Sequence, residues 1–302
     1  MTSAERAPRR AAVTASAFDH LRETAPAGVE VVRIEEGLDL GSVDFLVPDR
    51  QEGWVREALP GLTRLQVVQV LSAGTDAIRD LVPAAATLCS ARGARDQPVA
   101  EWIVAALLGA TSRNLECARL TTWTRKSVAD LGAWTVLVVG MGSIGRRVEA
   151  LLRPFEARVV GVASRPRDDL HGVEELPDLL PRADAVVLLV PLTDDTRGLI
   201  GVAELAAMGD GTLLVNAARG AVVDTDALVA ETSTGRIRAV LDVTDPEPLP
   251  DGHPLWSAPG VLSITPHIAG DSPLGQRRAV EFAARQLGRW AAGEELENVV
   301  RA

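Results

Sequence analysis

The chain has 302 residues, 47% of them hydrophobic, which is more than one core usually absorbs, so two domains are expected. Its formal net charge of −10 at pH 7, with no stripe of basic residues to overrule it, argues against nucleic acid as a partner. No run approaches the roughly 18 apolar residues of a membrane span, and nothing in Met1–Ala17 is apolar enough for a signal peptide, so a cytoplasmic protein is expected.

The first dozen residues read as a frayed tail. Beyond them, short β-branched runs alternate with helical patterns, the signature of parallel sheets covered on both faces. A helix over 15–24 precedes strands at 29–34, 43–47, 65–71 and 87–89, with a helix over 55–58 and a turn after Thr75. A long apolar helix, VAEWIVAALLGA, follows at 99–110. Strands are then expected at 135–139, 158–163, 185–190, 212–216, 239–243 and 261–265, with helices at 143–153 and 226–232. Gly235 stops the second of these helices. Ala279, Phe282, Ala283, Leu287 and Trp290 recur at helical spacing and predict a closing amphipathic helix over 278–292. The expected fold class is α/β, with two Rossmann-like, doubly wound parallel-sheet domains. One runs over 1–97 plus 273–302, the other over 98–272.

The run 135–139 leads directly into Gly140-Met141-Gly142-Ser143-Ile144-Gly145, and a helix pattern follows. A first glycine permits the tight turn, a second lets the backbone approach a pyrophosphate, and a third lets helix pack on strand. The helix N-terminus, at Ser143 and Ile144, offers free N–H groups and the positive end of its dipole to the phosphates. A dinucleotide site is therefore expected here.

The next strand distinguishes two cofactors. An NAD site normally has an acidic residue at its end, about 20 residues on, to hold the ribose 2′-hydroxyl. This strand ends instead in Ser164-Arg165-Pro166-Arg167, with Asp168 and Asp169 beyond a proline. A hydroxyl and guanidiniums suit a 2′-phosphate, so NADP(H) is favoured over NAD(H).

Three later segments place polar residues just after apolar strands, where open α/β sheets collect ligands. They contain Arg219, Glu247 and His267. Hydride transfer at a 2-oxo acid needs a cation for the substrate carboxylate and carbonyl, which Arg219 can supply. It also needs a proton donor, for which His267 is suited. Glu247 held against that imidazole would fix its tautomer. No HExxH, GxSxG or Cys/His cluster is present, so no metal site is expected. Cys89 and Cys117 lack metal or redox spacing and read as small buried hydrophobes.

In order along the chain, Gly74-Thr75-Asp76, Val99-Ala100-Glu101, the Gly140–Gly145 loop, Val190-Pro191-Leu192-Thr193 with Thr196, Asn216 to Gly220, Asp242 through Leu249, His253-Pro254-Leu255-Trp256 and Thr265-Pro266-His267 resemble the D-isomer-specific 2-hydroxyacid dehydrogenase family. The resemblance covers most of the chain. It implies Arg219, Glu247 and His267 as the catalytic set, Asp242 on the nicotinamide carboxamide, and Pro191 and Thr196 along the cofactor. It further implies that backbone N–H groups at Ala73 and Gly74 cradle the substrate carboxylate, with the active site in the cleft between the domains and a homodimer as the assembly.

The missing acidic residue after Ala163 is similar to the pattern of NADPH-dependent glyoxylate and hydroxypyruvate reductases. Ala73 stands where phosphite-oxidising relatives place a lysine, and no regulatory domain is expected after Ala302. The expected reaction is therefore hydride transfer between NADP(H) and a small 2-oxo or D-2-hydroxy acid. Two alternatives stay open. One is a larger branched or aromatic 2-oxo acid, which a wider cleft lined from Phe45–Val47 would favour; the other is a non-catalytic nucleotide sensor resembling co-repressors.

Overall fold

The computed structural model describes residues 9–49, 53–167 and 169–300. The chain forms two compact units, one of Met1–Arg95 with Pro273–Ala302 and one of Asp96–Ser272.

In the first unit the strands are β1 (Arg9–Val13), β2 (Val29–Arg33), β3 (Phe45–Val47), β4 (Val67–Gln69) and β5 (Thr87–Cys89), with helices α1 (Ala15–Glu23) and α2 (Gly53–Ala58). They form a parallel sheet in the order β2-β1-β3-β4-β5. Alternate side chains serve opposite faces, as the strand period of two requires. Ala11, Val13, Phe45, Val47 and Val67 pack with Leu21 of α1 and with Ala279, Phe282 and Leu287 of the C-terminal helix Pro273–Ala292. Ala12, Leu46 and Val68 pack on the other side with Val55 and Leu59.

The strand β1 overturns the expectation of a frayed tail, while residues 1–8 lie outside the described residues. Ala11, Ala12 and Val13 are fully buried and paired in register on both sides, with β2 and with β3. Both arginines of this run have partners. Arg9 lies 5.3 Å over the Trp290 ring and donates to the Ala291 carbonyl at 2.6 Å. The Arg10 backbone N–H donates to Asp44 at 2.9 Å. Phe45–Val47 is fully buried too, so this strand lines no open pocket.

The second unit contains α3 (Asp96–Thr111), α4 (Asn114–Cys117), β6 (Thr135–Val139), α5 (Ser143–Leu152), β7 (Arg158–Ala163), β8 (His171–Gly172), α6 (Leu176–Leu179), β9 (Ala185–Leu188), α7 (Val202–Ala207), β10 (Leu213–Asn216), α8 (Thr225–Ser233), β11 (Arg238–Leu241) and β12 (Val261–Ile264). Its parallel sheet runs β12-β11-β10-β9-β6-β7-β8. Strand order reverses between β6 and β9, the topological switch point at which such sheets open a crevice for ligands. Leu137, Val139, Val186, Leu188 and Leu214 bury one face, and Val136, Val138, Ala185, Val187 and Val215 bury the other against α3 and α5. Strands buried on both sides need not alternate polar and apolar residues, which is why these segments read as continuous apolar runs. Among the described residues, no helix is long and apolar enough to cross a membrane.

Candidate active site

The glycine loop lies at the switch point. Gly140 has φ +108°, and a Cβ there would stand 2.6 Å from the Leu189 carbonyl carbon and 2.8 Å from the Val190 nitrogen. No side chain is tolerated at that crossing of β6 with the end of β9. A Cβ on Gly145 would stand 2.8 Å from the Gly140 carbonyl oxygen, so this glycine lets α5 begin directly against the loop. Gly142, by contrast, has nothing within 4 Å of its Cβ position. That open space lies at the N-cap of α5, which no side chain caps, so the first N–H groups of the helix are available. A cradle without side chains, beside unsatisfied N–H groups, fits the pyrophosphate of a dinucleotide.

Ser164 and Arg165 are exposed just beyond β7, and among the described residues neither side chain has a hydrogen-bond or ion-pair partner. After β9, Thr196 Oγ donates to the Pro191 carbonyl at 2.6 Å and accepts from the Thr193 N–H at 2.8 Å. These bonds fold 191–196 into a closed turn beside the glycine loop's contact at Leu189–Val190.

The polar residues of the proposed chemistry lie on loops after β10, β11 and β12, which are neighbours in the sheet. Asn216, 2% exposed, ends β10 and holds the first loop. Its Oδ1 accepts from the Ala218 N–H at 3.0 Å, and its Nδ2 donates to the Arg219 carbonyl at 3.0 Å. Gly220 then meets the second loop so closely that a Cβ would overlap Thr244, 2.0 Å from its carbonyl carbon. Thr225 Oγ donates to the Asp245 carbonyl at 2.9 Å, a second tie between these loops. The chain reaches Glu247 through this region, with cis bonds at Asp245–Pro246 and Glu247–Pro248.

Asp242, 3% exposed, organises the third loop. Its Oδ1 accepts from Thr265 Oγ at 2.6 Å and from the Ile268 N–H at 2.9 Å, and its Oδ2 accepts from the Ala269 N–H at 3.0 Å. Its carbonyl accepts from the His267 N–H at 2.8 Å. The turn thus bonded on both sides carries His267 at φ +57°, a conformation an L-residue adopts only when its surroundings impose it. The imidazole Nδ1 lies 2.7 Å from Glu247 Oε1. A carboxylate can only accept, so Nδ1 carries the hydrogen and Nε2 is left to exchange a proton with a ligand. Nε2 has no partner among the described residues.

His267 and Glu247 are therefore in direct contact, and Arg219 sits on the loop that Gly220 locks to the Glu247 loop. Asp242 keeps a free acceptor position on Oδ2 beyond its three bonds, since a carboxylate offers about four. Ala73 and Gly74 belong to the first unit, in a turn held by Ser72 Oγ donating to the Gly74 carbonyl at 2.7 Å. Neither of their N–H groups has a hydrogen-bond partner among the described residues. Three residues of this site escaped the sequence reading as functional: Asn216, Gly220 and Thr265. The polar residue at each strand end was visible, but their partners stand 2 to 24 residues away and only folding brings them close. His253 caps a short turn, accepting from the Leu255 N–H at 3.3 Å, and His171 bonds Glu175 at 2.7 Å; both are structural.

Residues 104–269 match the family model described as D-isomer specific 2-hydroxyacid dehydrogenase, NAD binding domain. The chain is 31% identical over 300 residues to a glyoxylate reductase of Korarchaeum cryptofilum, covering 94% of this chain and 89% of that one. It superimposes with a TM-score of 0.84 on a D-isomer specific 2-hydroxyacid dehydrogenase from Xanthobacter autotrophicus Py2 solved with NADPH and MES, at 28% identity over 98% of each chain. The TT0316 protein of Thermus thermophilus gives a TM-score of 0.79 at 33% identity, covering 97% of this chain and all of that one.

Proposed function

The chain belongs to the D-isomer specific 2-hydroxyacid dehydrogenase family, NAD(P)-dependent oxidoreductases of CH–OH groups, and on that premise we propose that it reduces a small 2-oxo acid of the size of glyoxylate or hydroxypyruvate with NADPH. The observation that carries the proposal is the contact of His267 Nδ1 with Glu247 Oε1, on a loop locked to the one bearing Arg219.

When bound, the reduced nicotinamide supplies the hydride that C2 of the 2-oxo acid accepts. Arg219 binds the substrate carboxylate and draws electron density toward the C2 oxygen. As charge develops on that oxygen, His267 Nε2 delivers a proton to it, giving the 2-hydroxy acid. Glu247 accepts the Nδ1 hydrogen throughout, keeping the ring oriented with Nε2 toward the substrate oxygen. Asp242 would hold the nicotinamide carboxamide, and Gly140, Gly142, Ser143, Ile144 and Gly145 would seat the pyrophosphate. Pro191 and Thr196 would border the cofactor, and Ser164 and Arg165 would receive the ribose 2′-phosphate.

Two observations favour NADPH. No carboxylate ends β7, and Arg165 is unpaired among the described residues. The relative from Xanthobacter was solved with NADPH, which agrees with this reading. As the family resemblance implies, we propose in addition a cytoplasmic homodimer whose first unit binds substrate and whose second binds the dinucleotide.

The test is steady-state reduction of a panel of 2-oxo acids, each with NADPH and NADH. Glyoxylate or hydroxypyruvate with NADPH should lead by about tenfold or more in kcat/KM over branched and aromatic acids. A wide preference for NADH overturns the cofactor reading, and a preference for larger acids overturns the substrate reading. Tight cofactor binding without turnover of any acid would make the protein a sensor.

A further inference from the structure

We infer that Arg146 and Asp169 form a clamp that sets segment 164–167 for a 2′-phosphate, which makes Arg146 a positioning residue for the choice of dinucleotide. The inference rests on the NADP(H) reading above.

The strands β7 and β8 pair in parallel, Val162 with His171 and Ala163 with Gly172, so the chain between them must leave the sheet and return within a few residues. It turns back on itself through two backbone bonds, Arg167 N–H to the Leu170 carbonyl at 3.1 Å and Leu170 N–H to the Arg167 carbonyl at 2.8 Å. Two anchors hold this excursion. Leu170 is buried against Gly161, where a Cβ would stand 2.6 Å from Leu170 Cδ2 and 2.7 Å from Met141 Cε. Asp169 receives both guanidinium arms of Arg146, at 3.0 and 3.1 Å. Met141 and Arg146 belong to the glycine loop and the first turn of α5, so both anchors tie this excursion to the phosphate-binding corner.

Arg146 breaks a local rule. A cation in the first turn of a helix faces the positive end of the helix dipole and is disfavoured there. Here two carboxylates offset the cost, Asp169 and, at 3.1 Å, Glu149. The guanidinium in turn holds the Asp169 carboxyl below its usual range, so this group stays ionised and paired. A locally unfavourable residue with a dedicated partner is the kind of exception expected at functional sites.

The pairing has two consequences for Ser164 and Arg165. A free Asp169 would stand within a few residues of Arg165 and Arg167 and compete with a phosphate for their guanidiniums. Occupied by Arg146, it leaves Arg165 available. Fixing the turn also restricts segment 164–167 before a ligand arrives, which lowers the ordering cost of binding.

Calorimetric titration of the full chain with adenosine 2′,5′-bisphosphate and with adenosine 5′-monophosphate tests the clamp without turnover. The wild type should bind the bisphosphate more tightly, and Arg165→Gln should erase that advantage. Arg146→Gln should weaken the bisphosphate roughly three- to fivefold, the scale of an exposed ion pair, and leave the monophosphate unchanged. Exchanging the charges, Arg146→Asp with Asp169→Arg, should restore most of the loss. An unchanged ratio of the two ligands in Arg146→Gln overturns the clamp. So does failure of the exchanged pair to recover, which would mean that Arg146 meets the phosphate itself. Equal affinities in the wild type would instead refute the 2′-phosphate reading, and the clamp's role with it.

Discussion

The two units solve the same topological problem with different residues. In each sheet the first strand of the unit stands inside the sheet, at the reversal of strand order: β1 between β2 and β3, and β6 between β7 and β9. Each then runs into a helix. In the first unit the junction is Thr14, buried, at φ −58°, its N–H donating to the Val47 carbonyl at 2.9 Å. In the second, Gly140 takes φ +108° and its bare Cα is pressed against Leu189 and Val190, while Gly142 leaves open space at the head of α5. The junction is made twice, and only the second, with three positions that lack side chains, offers the seat proposed for a phosphate.

The largest expected effect comes from filling that seat. Gly140→Ala combines a strained φ with a backbone overlap and should destabilise the second unit by about 2–4 kcal/mol. NADPH binding, followed by nicotinamide fluorescence, should be lost in whatever fraction still folds. The mirror change in the first unit, Ala15→Gly at the start of α1, should cost no more than about 1 kcal/mol and confer no dinucleotide binding there. If Gly140→Ala bound NADPH as the wild type does, the distinction between the junctions would be wrong.

Asp242→Asn should have the next largest effect. Three donors converge on the Asp242 carboxylate, and an amide must turn its NH₂ toward at least one of them. A stability loss of about 1–3 kcal/mol is expected in thermal melts. Because the left-handed turn carrying His267 depends on those bonds, kcat should fall up to about a hundredfold. A fall in thermal stability with kcat intact would show that the turn keeps its shape without the carboxylate.

The smallest effect concerns the cysteines, one in each unit. Cys89 in β5 is fully buried, and burial pushes its thiol up to about 11, whereas Cys117 on α4 is exposed, against the expectation that both cysteines are buried. One thiol should therefore react with a disulfide reagent in the native protein at neutral pH, and two after denaturation. Since folding raises the Cys89 pKa above its ordinary 9.0, the stability tied to its neutral form is complete below that value and declines as pH rises toward 11. Two reactive thiols in the native state would mean that β5 opens far more readily than its burial suggests.

Most of the second unit was legible in the sequence because its strands are long, apolar and bounded by turn residues. The strands at 135–139 and 158–163 match β6 and β7 residue for residue. The strand β1 was not, because five residues beginning with two arginines offer no period to read, and only pairing on both sides makes them a strand. The two-residue β8 is too short to carry any pattern. At the site, Arg219, Glu247 and His267 stood out as polar residues after apolar strands, and His267 with Glu247 indeed forms one bonded pair. What the sequence could not display was the support beneath them. Asp242 holds a turn more than 20 residues downstream, and Gly220 is pinned by Thr244; neither dependence leaves a local trace.

The proposed reduction stands or falls on His267. The direct test is His267→Gln, with NADPH binding and glyoxylate reduction measured on the same preparation. Binding should change little, because the phosphate seat lies on other loops, while kcat should fall by about 10²–10⁴, the usual contribution of a positioned proton donor. Turnover at the wild-type rate, with the cofactor still bound, would contradict it.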